Sequence, residues 1–379
     1  MTFSDLAKKP VGILASLCLA AAAMVVSTLG HAATPAYRIE TVVQGLDHPW
    51  SLAFLPDGRM LVTERVGRLR VVDARGQLQP QAVANVPVEY VDTQAGLMDV
   101  AVDPDFATNR FIYLTYAYGN AQANNTRLVR AKFDQDKLTD VQTLFSAKPT
   151  KAGGAHFGGR IAFLPDGTLV LTLGDGFDHR EQAQNLSNHL GKTVRLNRDG
   201  SVPANNPYVK RPGAAPEIYT TGHRNVQGIV YDSTNDRLYI NEHGPRGGDE
   251  LNILEAGSNY GWPIASLGLD YTGARVTPYT QWPGMRDGIL HWTPSVAPSG
   301  MALYQGSQFA QWQGDLFMST LAERSVRRIA MHEGLPTGEQ EVLFADLKKR
   351  IRDVRSAPDG ALYLLTDEKD GSVLRVMAP

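Results

Sequence analysis

The stretch Trp50-Ser51-Leu52-Ala53-Phe54-Leu55-Pro56-Asp57-Gly58-Arg59-Met60-Leu61-Val62-Thr63-Glu64 decides the fold. Two short apolar runs flank a Pro-Asp-Gly turn. Proline presets φ, aspartate bonds its own backbone, and glycine accepts φ > 0, so the three residues together reverse the chain. The flanking residues alternate with a period of two, as half-buried strands do.

The unit recurs along the whole chain. Further copies run from Leu97 to Tyr116, Arg160 to Asp175, Gly228 to Glu242, Gly300 to Leu321 and Val354 to Asp367. They turn around Pro104-Asp105, Pro165-Asp166-Gly167, Asp232, a longer insertion, and Pro358-Asp359-Gly360 respectively. The copies lie roughly 50 to 70 residues apart, room for a four-stranded blade and one long loop. A lone antiparallel sheet cannot bury both faces, whereas sheets set radially bury one another. The pattern predicts an all-β, six-bladed β-propeller with four-stranded antiparallel blades. Tyr37 to Val43 should close the ring by joining Ser372 to Met377. Two β-sandwiches are the alternative, disfavoured by repeats spread over the full length. Helical periodicity is confined to Leu186 to Lys192.

The N-terminus reads as an export signal. Lys8 and Lys9 precede an apolar run from Val11 to Leu29, and Gly30-His31-Ala32 supplies small residues for cleavage. Residues 1–32 are expected to be removed, leaving one propeller domain over 33–379 in the periplasm or outside the cell. An uncleaved anchor is the alternative, since the run is long enough to span a bilayer. The only cysteine, Cys18, falls in this segment, so the mature chain would have no disulfide and no thiolate metal site. With 37 Lys and Arg against 39 Asp and Glu, no basic excess points to nucleic acid or to a membrane surface.

Four segments carry chemistry-bearing residues. Ala155-His156-Phe157-Gly158-Gly159-Arg160 leads into the third repeat, whose second strand ends Leu173-Gly174-Asp175-Gly176. A His and an Asp flanking one hairpin can form a base and its orienting group. Taken alone, such a pair is more often a structural histidine and a turn aspartate. Thr221-Gly222-His223-Arg224-Asn225 sits at the same topological place before the fourth repeat, and an Arg beside an amide suits carbonyl or carboxylate oxygens. Asn241-Glu242-His243-Gly244-Pro245-Arg246-Gly247-Gly248-Asp249-Glu250 combines acids with free loop carbonyls, a donor set for calcium. Arg350 and Arg352 alternate onto one face, either a solvated edge or an anion site.

Together these segments resemble the soluble aldose dehydrogenases that use pyrroloquinoline quinone, the glucose/sorbosone dehydrogenase family, over about Gly45 to Val376. The shared motifs include Gln94-Ala95-Gly96-Leu97-Met98, His156-Phe157-Gly158-Gly159-Arg160, Gly222-His223-Arg224-Asn225, Glu242-His243-Gly244-Pro245 and Asn259-Tyr260-Gly261-Trp262-Pro263. The resemblance implies oxidation of the C1 hydroxyl of an aldose to the lactone, with pyrroloquinoline quinone and calcium as cofactors. It makes His156 the base, Asp175 its orienting partner and Arg224 a stabiliser of developing charge. Gln94, Arg224, Asn225, Arg350 and Arg352 would contact the quinone. Carbonyls of Gly244 and Pro245 would bind its calcium, and Glu250 with the Tyr260 carbonyl a second one. The expected partners are a sugar and an external electron acceptor, with the protein monomeric. One departure stands out: where the family carries a lysine after leucine, this chain has Leu321-Ala322, with Arg324 nearby. A calcium-dependent propeller lactonase and a non-catalytic carbohydrate- or protein-binding propeller are the rival readings.

Overall fold

Each copy of the repeat forms the inner hairpin of a β-sheet, and six such sheets stand in a ring. The structure is a computed structural model that describes residues 34–379, so the expected export signal and Cys18 lie outside the described residues. The six innermost strands are Pro49–Phe54, Leu97–Val102, Ile161–Phe163, Val226–Asp232, Pro298–Leu303 and Ile351–Ser356. They touch in that cyclic order, and the last returns to the first. Five blades have four antiparallel strands. The first has three, with a single bridge from Val72 to Leu78 where its outer strand would run.

Closure occurs as the sequence predicts. Arg38–Leu46 pairs antiparallel with Gly371–Met377, from Arg38 opposite Met377 to Leu46 opposite Gly371, with register shifts between Thr41 and Val43 and between Val43 and Leu46. The two ends of residues 35–379 thus share one sheet. The core is divided in the same way. One cluster of buried apolar side chains fills each of the six junctions between neighbouring blades, for example Leu61, Leu69 and Val71 against Leu114, Val129 and Phe133. Each sheet therefore buries both faces, which is why radial packing satisfies this repeat.

Leu186 to Lys192 is not helical. The nearest helical turn is a 3₁₀ segment at Arg180–Gln184, and Lys192 already begins a strand. Asn185 and Asn188 accept hydrogen bonds from the backbone N–H groups of Ser187 and Leu190, a local arrangement that competes with a helix. Among the described residues no helix is long and apolar enough to cross a membrane.

An ionic plug joins the inner strands of the second, third and sixth blades. Arg160 lies 3.1 Å from Asp353 and 3.5 Å from Asp99, and its guanidinium sits 4.0 Å above the Trp50 ring. Arg355 donates to Asp353 at 2.8 Å. Ser51 Oγ and the Ile161 N–H donate to Asp99. Arg160 ends the His156-Phe157-Gly158-Gly159-Arg160 motif, so that motif contributes to this plug as well as to the neighbouring site.

Candidate active site

The loops entering blades three and four meet at one end of the channel. The strand leaving the third inner hairpin passes directly beneath the backbone of His156. A Cβ on Gly174 would lie 2.2 Å from the His156 carbonyl oxygen, so only glycine fits. His156 itself is held at φ 54, a left-handed conformation uncommon for a residue with a side chain. Gly174 bridges to Asn225, and the Asp175 N–H donates to the Arg224 carbonyl at 2.8 Å. Three motifs far apart in sequence are thereby tied together by backbone.

His156 Nδ1 lies 2.7 Å from Asp175 Oδ1, and both side chains are buried. A carboxylate accepts, so Nδ1 carries the proton and the Nε2 lone pair remains, without a partner among the described residues. Asp175 takes two more donors: the Phe177 N–H on Oδ1 and Trp262 Nε1 on Oδ2, each at 2.8 Å. Burial holds the His156 imidazolium below the usual histidine range. Asp175 opposes that shift, while Arg224 and Lys151 add to it. The net effect is a neutral ring at neutral pH. Gln94 accepts from the His156 N–H at 2.9 Å, so it fixes the loop that presents the imidazole. Phe177 packs edge-on against the His156 ring, centroids 5.0 Å apart.

Beside this pair is a cavity of about 180 Å³ lined by Gln94, Asn225, Arg350 and Arg352, four of the residues expected to meet the quinone. Gln227, His243, Asp367, Trp50 and Arg65 line it too, and sequence reasoning did not single them out for it. Arg350 and Arg352 share Asp367, with nitrogens 3.2 and 2.9 Å from its Oδ2. Burial alone would raise the Asp367 pKa, but Arg352 and Arg350 outweigh it and hold the carboxyl at about 2. The Arg352 Nε is buried without a hydrogen-bond partner. Three guanidiniums thus face one carboxylate. Arg324 is exposed and does not line the cavity. Near Leu321-Ala322 the cation is instead Arg350, whose Nη1 donates to the Leu321 carbonyl at 3.3 Å.

Arg224 lies deeper than an exposed cofactor clamp would. Its Nη1 donates to the Gly244 carbonyl at 2.8 Å, and its Nη2 meets the Tyr271 hydroxyl at 3.3 Å. With Pro245, Trp262, Phe177 and Tyr271 it lines a second cleft adjoining the base. The Gly244 oxygen is therefore turned toward a cation. Two carbonyls are far short of the six to eight oxygens calcium takes. Among the described residues no three His, Cys, Asp or Glu side chains converge to hold a metal. The Gly244 carbonyl is already engaged by Arg224, so the protein atoms at Gly244 and Pro245 do not by themselves make a calcium site.

Glu250 sits elsewhere, opposite Glu242 across two paired strands. Burial first, and then Glu242, push its carboxyl pKa up. Glu242 also bonds His223 at 2.9 Å, and His223 stacks on the Tyr260 ring at 4.8 Å. Glu250 and Tyr260 thus belong to one buried cluster, apart from the base.

The described geometry coincides with a known family. The family described as Glucose / Sorbosone dehydrogenase matches residues 46–375, and the chain belongs to it. It is 41% identical to the aldose sugar dehydrogenase YliI of Escherichia coli, over 91% of this chain and 94% of that one. It superposes on the apo form of the soluble aldose sugar dehydrogenase of E. coli with a TM-score of 0.87 and 39% identity, covering 91% of this chain and all of the other. It also superposes on the PQQ-bound aldose sugar dehydrogenase of Streptomyces coelicolor, with a TM-score of 0.74, 28% identity and coverage of 91% and 99%. The chain is thus a propeller of the sugar dehydrogenase, quinone-type family.

Proposed function

We propose that this protein oxidises the C1 hydroxyl of an aldose to the lactone, with pyrroloquinoline quinone in the cavity and calcium at Gly244 and Pro245. The observation that carries the reading is a neutral, Asp-oriented His156 beside a cavity where three guanidiniums face one carboxylate. Such an excess of positive charge, with the Arg352 Nε unpartnered, suits a planar ligand bearing several carboxylates. When bound, the quinone supplies the two-electron acceptor for the hydride leaving C1.

The chain's own residues do the rest. His156 Nε2 takes the hydroxyl proton as C1 is oxidised. Asp175 holds the ring in the tautomer that frees Nε2 and stabilises the imidazolium that forms. Arg350 and Arg352 hold carboxylates, Asn225 supplies an amide at the cavity wall, and Arg224 places a fixed positive charge near the reacting oxygens. A calcium lactonase would need a ring of carboxylates and amides in the channel. Here the channel acids Asp99 and Asp353 are consumed by Arg160 and Arg355. The export-signal reading of residues 1–32 supports a reaction outside the cytoplasm, with the electrons passing to an external acceptor.

The test is reconstitution of purified protein with pyrroloquinoline quinone and calcium, followed by dye-linked sugar oxidation. His156→Ala should keep the quinone absorbance and lose roughly 10²–10⁴ in turnover. Near wild-type turnover at full quinone occupancy would remove His156 from the role of base.

A further inference from the structure

Arg65 follows directly on the second strand of the first blade, Met60–Glu64. Its backbone is pinned on both sides. The Arg65 N–H donates to the His48 carbonyl and its own carbonyl accepts from the Leu97 N–H, each at 3.1 Å. Gly96 passes so close, at φ +148, that a Cβ there would lie 2.0 Å from the Arg65 oxygen. Arg65 cannot retreat without disturbing the junction that also carries Gln94.

The guanidinium itself is uncommitted. It is half-buried, lines the cavity, and makes no hydrogen bond or ion pair among the described residues. The adjacent acid is already engaged: Glu64 takes Arg68 at 2.5 Å and Arg70 at 3.5 Å. The other cavity acid, Asp367, is shared by Arg350 and Arg352. Burial disfavours the charged form of Arg65. Asp367 and then Asp47 oppose that, while Arg352 and Arg350 add to it. A half-buried cation with no partner, beside two like charges, costs the empty protein free energy that a bound anion would return.

We propose that Arg65 is an anion-binding residue of this cavity, holding a carboxylate of the planar quinone from the first blade while Arg350 and Arg352 hold it from the sixth. The inference rests on the quinone reading above. It also gives the cavity a third cation in a chain whose Ala322 lacks the usual lysine.

The experiment is equilibrium titration of the full-length apo-protein with pyrroloquinoline quinone at saturating calcium, alongside apo-protein melting curves. Arg65→Met should bind the quinone roughly ten- to a hundred-fold more weakly, the size of one lost charge-assisted contact. Its apo melting temperature should not fall, because the side chain bonds nothing in the protein. Arg65→Lys should recover part of the affinity. Arg65→Met binding as wild type would overturn the role of Arg65 alone. Equal losses of melting temperature and affinity in both variants would make Arg65 structural and also overturn it. A wild-type protein that takes up no quinone would overturn the quinone reading and this inference with it.

Discussion

Two arginine clusters adjoin through the hydrogen bond from Arg160 to the Arg352 carbonyl, and their charge balance differs. In the plug, Arg160 and Arg355 face Asp99 and Asp353, two against two, and backbone and hydroxyl donors occupy further carboxylate oxygens. In the neighbouring cavity, Arg65, Arg350 and Arg352 share one lining acid, Asp367, with Asp47 also acting on Arg65 from outside the lining. A charge-balanced buried cluster serves the fold, even though Arg160 Nη1 and Asp353 Oδ1 meet only as a 3.1 Å ion pair. An unbalanced one leaves a demand for negative charge that the chain does not meet, which marks a ligand site. Residue type alone does not separate the two; Arg160 and Arg352 are both buried arginines on the channel.

The plug offers the largest test of this contrast. Asp353→Ala strips a carboxylate from both Arg160 and Arg355 and leaves the buried Arg160 guanidinium with Asp99 alone, at 3.5 Å. Removing one partner of a buried pair costs about 3–5 kcal/mol. Denaturant unfolding should show that loss, while the protein that remains folded binds quinone as before. A change within about 0.5 kcal/mol, the size of an ordinary surface substitution, would mean the plug is not what holds the inner strands together.

Acid should act on the cavity cluster with a smaller effect. Asp367 has its folded pKa lowered from 3.8 to about 2. A group whose pKa falls on folding stabilises the protein above its unfolded value and loses that contribution as pH drops through the folded one. The contribution is about 2 kcal/mol, complete above roughly pH 4 and disappearing toward pH 2. Unfolding measured across that window should show wild type and Asp367→Asn converging as pH falls. A gap that stays constant would mean that the two arginines do not hold Asp367 ionised.

How much of this was legible beforehand follows from how local each signal is. The inner hairpins were readable because Pro-Asp-Gly and period-two alternation are written within about fifteen residues. The outer strands carry no such mark, and the first blade's missing fourth strand left no trace in the pattern. His156 and Asp175 were legible because they flank one hairpin. Leu186 to Lys192 misled, since an apolar spacing over so few residues is outweighed by the side-chain caps of Asn185 and Asn188. Arg65, Gln227 and Asp367 come from separate blades, and only the closed ring brings them to one cavity. Trp262 was legible as part of a motif, but nothing local says that its indole reaches Asp175, 87 residues away in sequence.

That indole gives the smallest and most selective test. Trp262→Phe keeps an aromatic ring in the loop but removes the Nε1–H donated to Asp175 Oδ2, together with part of the indole face beneath Arg224. Asp175 retains the Phe177 N–H and His156. One hydrogen bond is worth about 0.5–1.5 kcal/mol net, so turnover at neutral pH should fall only a few-fold. The direction of the pH effect is more informative. With one donor fewer, the carboxylate draws the Nδ1 proton more strongly and favours the imidazolium, so the pKa of His156 rises. The acid limb of kcat/KM, set in wild type below the usual histidine range by burial, should move to higher pH in Trp262→Phe. A structural role for Trp262 would lower the melting temperature and leave the limb in place. That result would show that the orientation of His156 depends on Asp175 alone, without the cleft wall behind it.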